Sequence, residues 1–140
     1  NESVLDLGSG GVFPGILLSI TKTENKINLL ESNNKKCYFL KKVSYELNLK
    51  NTRIINKTIT KRNKLGKFDI ITSRAFATIE KTINLTKTNT HENTKYLLLK
   101  GKASNIKKEL KDIDKNMFRY EIINQDTTKE RNIVLLCKDE

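Results

Sequence analysis

The chain has 140 residues and a mass of 16.1 kDa, which suits one domain and excludes two. Its 27 Lys and Arg against 16 Asp and Glu give a net charge of +11. That balance speaks against calcium-binding or acid-binding roles and favours a polyanionic partner. Part of the excess is compositional, because 22 of the basic residues are Lys beside 16 Asn, the usage of an AT-rich genome.

Two cysteines, Cys37 and Cys137, are too few for a disulfide framework. A reduced, cytoplasmic setting is the simpler expectation. No apolar run approaches the roughly 20 residues of a membrane span. The expectation is also that no signal peptide opens the chain. The first residue is not Met and the first strand starts by Val4, so the sequence reads as a fragment.

In chain order, Ser3–Leu7 reads as a buried strand that ends in a Gly-rich turn. Pro14–Lys22 reads as a helix, with Pro14 suited to a first turn that needs no N–H. Lys26–Glu31 is a second strand. Asn34–Asn48 is the clearest helix, with Cys37, Leu40, Val43 and Leu47 on one stripe flanked by Lys35, Lys36, Lys41 and Lys42. Arg53–Lys57 and Lys67–Ser73 follow as strands, Thr78–Lys87 as a helix and Tyr96–Lys100 as a fifth strand. Ser104–Ile113 is a polar helix with Ile106, Leu110 and Ile113 on one stripe. Phe118–Asn124 and Asn132–Lys138 read as a closing antiparallel hairpin. This alternation predicts an α/β domain with a mostly parallel sheet covered on both faces.

The first loop reads Asp6-Leu7-Gly8-Ser9-Gly10-Gly11-Val12-Phe13-Pro14-Gly15. Glycines at a strand-to-helix turn let a ligand approach the backbone, and the helix start adds free N–H groups. Glu31 ends the second strand, where an acidic side chain can accept both hydroxyls of an adenosine ribose. A dinucleotide fingerprint would need a third Gly where Phe13 stands, and no Gly-Lys-Ser/Thr completes a Walker loop. Asp6 and this loop therefore fit S-adenosyl-L-methionine better than NAD.

The segments DLGSGGVFPGILLSI, LLESNNKKCYFLKKV, ITSRAFA, YLLLKG and RNIVLLCK occur in one order over nearly the whole chain. In this the chain resembles the RsmG family (glucose-inhibited division protein B), bacterial methyltransferases of guanine N7 in 16S, small-subunit ribosomal RNA. The resemblance implies a class I S-adenosylmethionine-dependent methyltransferase, a Rossmann-like seven-stranded sheet with a reversed C-terminal hairpin. It implies cofactor contacts by Gly8, Gly10, Phe13, Glu31, Ile59 and Thr60, with Arg74 bordering the cofactor and substrate cleft. Gly11-Val12 and Thr60 depart from the family pattern, which usually has small-Gly and an acidic residue there. The family also carries a helical N-terminal extension, so residues 1–140 read as a single methyltransferase domain without it.

Guanine N7 has a lone pair and no proton, so the reaction needs positioning rather than a general base. The inventory agrees: His91, the only histidine, falls in a polar loop, and Cys37 and Cys137 read as core residues. No His/Cys/Asp cluster has metal-ligand spacing. Arg74 is the candidate positioning residue, with an ion pair to Asp6 or Glu31 as its structural alternative. Phe76 can stack on a base or anchor a loop. Lys100 is a candidate RNA contact, and the four lysines beside Cys37 read mainly as a solvated helix face. The expected partner is small-subunit rRNA or a ribosomal particle, with no membrane and a monomeric protein. The alternatives are a degenerate fold that binds RNA without catalysis, and a small-metabolite methyltransferase.

Overall fold

The computed structural model describes residues 1–11, 14–124 and 130–138. Five parallel strands form first: β1 (Ser3–Leu7), β2 (Lys26–Leu30), β3 (Thr52–Ile55), β4 (Ile70–Arg74) and β5 (Lys95–Lys100). The hairpin β6 (Phe118–Asn124) and β7 (Asn132–Lys138) closes the sheet with the bounds its alternation predicted. The strand order is β3-β2-β1-β4-β5-β7-β6, and β7 runs antiparallel to both neighbours. Among the described residues four α-helices connect the strands, α1 (Gly15–Thr21), α2 (Asn34–Glu46), α3 (Ile79–Leu85) and α4 (Ala103–Leu110), with a short 3-10 turn at Lys87–Asn89 after α3.

The period-2 alternation of the strands divides the core in two. Leu5, Leu7, Ile71, Tyr96, Leu98, Val134 and Leu136 face α3 and α4, joined by Ile79, Ile83, Ile106 and Leu110. Val4, Ile27 and Leu29 face α1 and α2 through Ile16 and Leu40. The expectation of a sheet covered on both faces holds only in part. Leu97, Leu99, Ile133 and Leu135, on the α1 side of β5 and β7, are only partly buried. Helices α1 and α2 are spent on β1–β3, so they do not extend to this half.

Smaller differences have local causes. Leu47 is 51% exposed rather than part of the core stripe, because α2 ends before it. Asn48 takes φ 52 there, and the Asn48 and Leu49 N–H groups bond the Tyr45 and Ser44 carbonyls, which closes the helix in a left-handed cap. Strand β4 starts at Ile70 instead of Lys67, because the Phe68 N–H is taken by the Asn89 carbonyl outside the sheet. Helix α4 stops at Leu110, yet Ile113 still reaches the core from the following turn. No helix among the described residues is long and apolar enough to cross a membrane.

Candidate cofactor site

The strand order reverses between β1 and β4, and the loops after their carboxyl ends open a crevice there. Gly8 follows β1 with φ +71, a conformation that favours glycine. A Cβ on it would lie 3.2 Å from the Phe76 ring. The Gly8 and Ser9 N–H groups both bond the Leu30 carbonyl, at 2.9 and 3.1 Å, which fixes the loop across the end of β2.

Glu31 clamps the same loop from the other side. Its Oε1 accepts the Gly10 N–H at 2.7 Å and its Oε2 accepts the Asn33 N–H at 2.9 Å. A side chain at Gly10 would run into the Glu31 carboxylate and the Lys36 stem, so glycine lets the loop backbone approach both without displacing them. Asn33 in turn caps α2, its side chain accepting the Lys36 N–H at 3.0 Å. Glu31 is therefore buried as a loop clamp, with one accepted bond on each oxygen. Each oxygen keeps capacity to accept a further hydrogen bond.

Asp6 lies beneath this loop and is 1% exposed. Its Oδ2 accepts the Ser9 hydroxyl at 2.8 Å, while its Oδ1 is buried with no hydrogen-bond partner among the described residues. Burial drives its pKa up to about 7, against the lowering effect of the Ser9 hydroxyl and the Gly15 N–H, with the Glu31 charge adding to the rise. A buried carboxylate oxygen without a donor suits a cationic group, such as the α-ammonium of S-adenosylmethionine. In the sequence Asp6 stands out only as part of the loop signature. Its signal was an acid inside an otherwise apolar strand.

A cleft of about 430 Å³ opens beside the loop, lined by Gly8, Leu30, Lys57, Ile59, Phe76 and Lys81 among others. Its size is within the roughly 300–1,000 Å³ of small-molecule sites. Three predicted residues, Gly8, Ile59 and Phe76, thus converge. Thr60 is exposed and lines an adjoining groove of about 570 Å³ with Ile59, Arg62 and Asn63. Phe13 lies outside the described residues.

Arg74 is exposed at the end of β4 and forms no ion pair with Asp6 or Glu31. The next residue, Ala75, has φ 48, a strained conformation for a residue with a Cβ. Lys100 is differently placed from an RNA contact. Its ammonium pairs with Glu109 Oε1 at 3.0 Å and donates to the Ala77 carbonyl, and its side chain is 10% exposed. Glu109 also accepts the Ile79 N–H at 2.9 Å, so this network ties α4 to the start of α3.

The remaining candidates are structural. Cys37 and Cys137 are free thiols, and Cys37 donates to the Glu31 carbonyl at 3.1 Å. His91 sits at the opposite end of the sheet, where its Nε2 lies 2.8 Å from Asp69 Oδ1. Its Nδ1 accepts the Asn93 N–H at 3.0 Å, so the ring proton belongs on Nε2 and points at Asp69.

Comparison with known proteins agrees with this geometry. The fold matches a SAM dependent methyltransferase from Aquifex aeolicus with a TM-score of 0.76 at 16% identity, over 96% of this chain and 81% of that one. A precorrin-6y C5,15-methyltransferase from Geobacter metallireducens matches equally, at 0.76 and 13% identity, over 99% of this chain and 81% of that one. In sequence, the Ribosomal RNA small subunit methyltransferase G of Borreliella burgdorferi (strain ZS7) is 39% identical over 140 residues, 98% of this chain and 66% of that protein. The protein of the same name from Borrelia turicatae is 36% identical, with the same coverage. The chain thus spans 66% of the length of these relatives. The family model described as GidB, rRNA small subunit methyltransferase G, matches residues 1–134, and the chain belongs to that family.

Proposed function

We propose that this chain is the cofactor-binding core of an enzyme that methylates guanine N7 of 16S, small-subunit rRNA with S-adenosyl-L-methionine. The observation that carries the reading is the cleft that joins Gly8, Ile59 and Phe76 where the strand order reverses. When bound, the cofactor supplies an electrophilic methyl group on a sulfonium.

The chain's own residues bind and orient. Asp6 Oδ1 offers a buried negative partner to the cofactor's ammonium. Glu31 holds the Gly10 backbone in place and keeps acceptor capacity toward ribose hydroxyls. Ile59 and Leu30 supply apolar wall for an adenine. Phe76 lies against Gly8 and forms part of the cleft wall. Asp6 and Glu31 do not line the cleft itself but adjoin it through the Gly8–Gly10 loop that they hold. Guanine N7 attacks with a lone pair that carries no proton, so in-line positioning is the main requirement. Arg74, exposed at the carboxyl end of β4 two residues before the cleft residue Phe76 and free of ion pairs among the described residues, is suited to a phosphate or guanine of the substrate.

The test is transfer of labelled methyl from S-adenosylmethionine by the full-length parent. We expect label in small-subunit rRNA and a large loss of turnover for Arg74→Ala at unchanged thermal stability. Label that enters protein or small molecules, and never rRNA, would refute the assignment.

A further inference from the structure

The net charge of +11 is not spread over the molecule. Residues 33–68 hold 11 Lys and Arg and a single acid, Glu46, a net charge of +10. The other 104 residues hold 16 basic and 15 acidic side chains and are nearly neutral. Genome composition enriches Lys everywhere, so it does not account for this concentration.

The segment wraps the β3 edge of the sheet: α2 packs on one face through Leu40 and Val43, while Ile59, Leu65 and Phe68 of the β3–β4 connection pack on the other. It comprises α2, the edge strand β3 on which α2 packs, and the connection from β3 to β4. All 11 basic residues are exposed, and none forms an ion pair among the described residues. Uncompensated like charge costs stability through self-repulsion, so an external anion is its natural complement.

Two aromatic side chains stand within the lysines. Tyr38 and Tyr45 are 74% and 87% exposed. Helical spacing puts them on the outermost stripe of α2 with Lys35 and Lys42, since three- and four-residue steps share a face. The core stripe of the same helix is carried by Cys37 and Leu40 on the opposite side. Phe39 and Leu47 of the same region are also exposed, so a vesicle surface is the competing occupant in the test, but Tyr alternating with Lys along one stripe suits the bases and phosphates of an unpaired strand. The surface also reaches the cofactor site. The Lys36 stem lies against Gly10, and Lys57 lines the cleft.

We infer that α2, β3 and the β3–β4 connection form the docking face for single-stranded RNA next to the target base, with lysines on phosphates and Tyr38 and Tyr45 as stacking platforms. The inference rests on the proposed RNA substrate and adds the surface that holds it.

Fluorescence anisotropy of the full 140-residue chain with a labelled single-stranded oligoribonucleotide tests it. The double variant Lys35→Gln, Lys42→Gln is expected to weaken binding about tenfold at low salt. The salt slope should fall by about 1.4, roughly 0.7 for each lost phosphate contact. The pair Tyr38→Ala, Tyr45→Ala should lose about fivefold or more per ring, and Tyr→Phe at both should restore binding. Lys107→Gln with Lys108→Gln on α4 removes the same charge elsewhere and should leave affinity within about twofold, since distant non-contacting charges are screened.

Equal losses from the α4 pair, or wild-type affinity in the α2 variants, would overturn the inference. So would binding to phosphatidylglycerol vesicles with none to the oligoribonucleotide. Calorimetry with S-adenosylmethionine on the wild-type chain separates the two readings. Cofactor binding without RNA binding overturns this inference alone. RNA binding that depends on α2, without cofactor binding, supports this inference and overturns the methyltransferase reading.

Discussion

Two aspartates, one at the carboxyl end of β1 and one just before its neighbour β4, end in opposite circumstances. Asp69 precedes β4 at the sheet's amino edge, where its Oδ2 takes the Ser3 N–H at 2.8 Å and its Oδ1 faces His91. The Ser3 N–H, then the His91 contact, hold its pKa below the usual carboxylate range. Asp6 lies at the carboxyl edge of β1, fully buried with one oxygen unpartnered and its pKa raised to about 7. The same side chain is a structural tie at one end and an unmet binding group at the other. A fold that satisfies its polar groups at one edge and leaves one unsatisfied at the other marks the second as the ligand end.

The largest effect expected from this contrast concerns Asp6. Its folded-state pKa lies above the unfolded value of 3.8, so the folded state binds the extra proton between about pH 4 and 7. Stability should therefore fall as pH rises through that window, by about 4 kcal/mol in total. Asp6→Asn should flatten this pH dependence and melt at a higher temperature above pH 7. Thermal melts across pH check it, and an unchanged profile would show that the carboxylate is not the source.

Glu31→Ala comes next. It removes charge-assisted bonds to the Gly10 and Asn33 N–H groups. We expect a loss of about 1–3 kcal/mol in cofactor affinity and a similar loss of stability. Unaltered affinity in calorimetry would remove Glu31 from the site.

Asp69→Asn should be milder, about 1 kcal/mol at most, because the His91 pair is about a third exposed. Its pKa is lowered by folding, so its contribution is present above the unfolded value and is lost as pH falls below about 3.8. Acid denaturation should accordingly be less steep in the variant.

The smallest expected effect is at the other end of β4. Ala75 has φ 48, so Ala75→Gly should raise stability by about 0.5 kcal/mol in denaturant titration. If the strain positions Arg74 and Phe76, turnover should fall in the same variant.

The fold was largely legible in the chain because alternation and turn residues are local signals. The hairpin bounds of β6 and β7 follow directly from it. The half-covered sheet was not legible, since coverage depends on how far α1 and α2 reach, which no local pattern records. In the site, Gly8 and Ile59, which the resemblance implied as cofactor contacts, line one cleft with Phe76, which the sequence offered only as a base-stacking or loop-anchoring residue. Lys100 looked available because it ends a strand, yet its partners Glu109 and Ala77 come from distant segments. Asp6 was visible as a residue but not as an orphaned acceptor, because that depends on which donors the loop fails to bring. The charge concentration in residues 33–68 was countable all along and gained meaning only when the structure wrapped it around the β3 edge of the sheet.

The most direct test of the central claim is calorimetric titration of S-adenosylmethionine into the parent protein and its Asp6→Asn variant above pH 7. Wild type should bind one equivalent. The variant should melt higher yet bind at least about tenfold more weakly, a difference of about 1.4 kcal/mol. A folded variant that binds as tightly as wild type would contradict the claim that the orphaned Asp6 oxygen is part of the cofactor site.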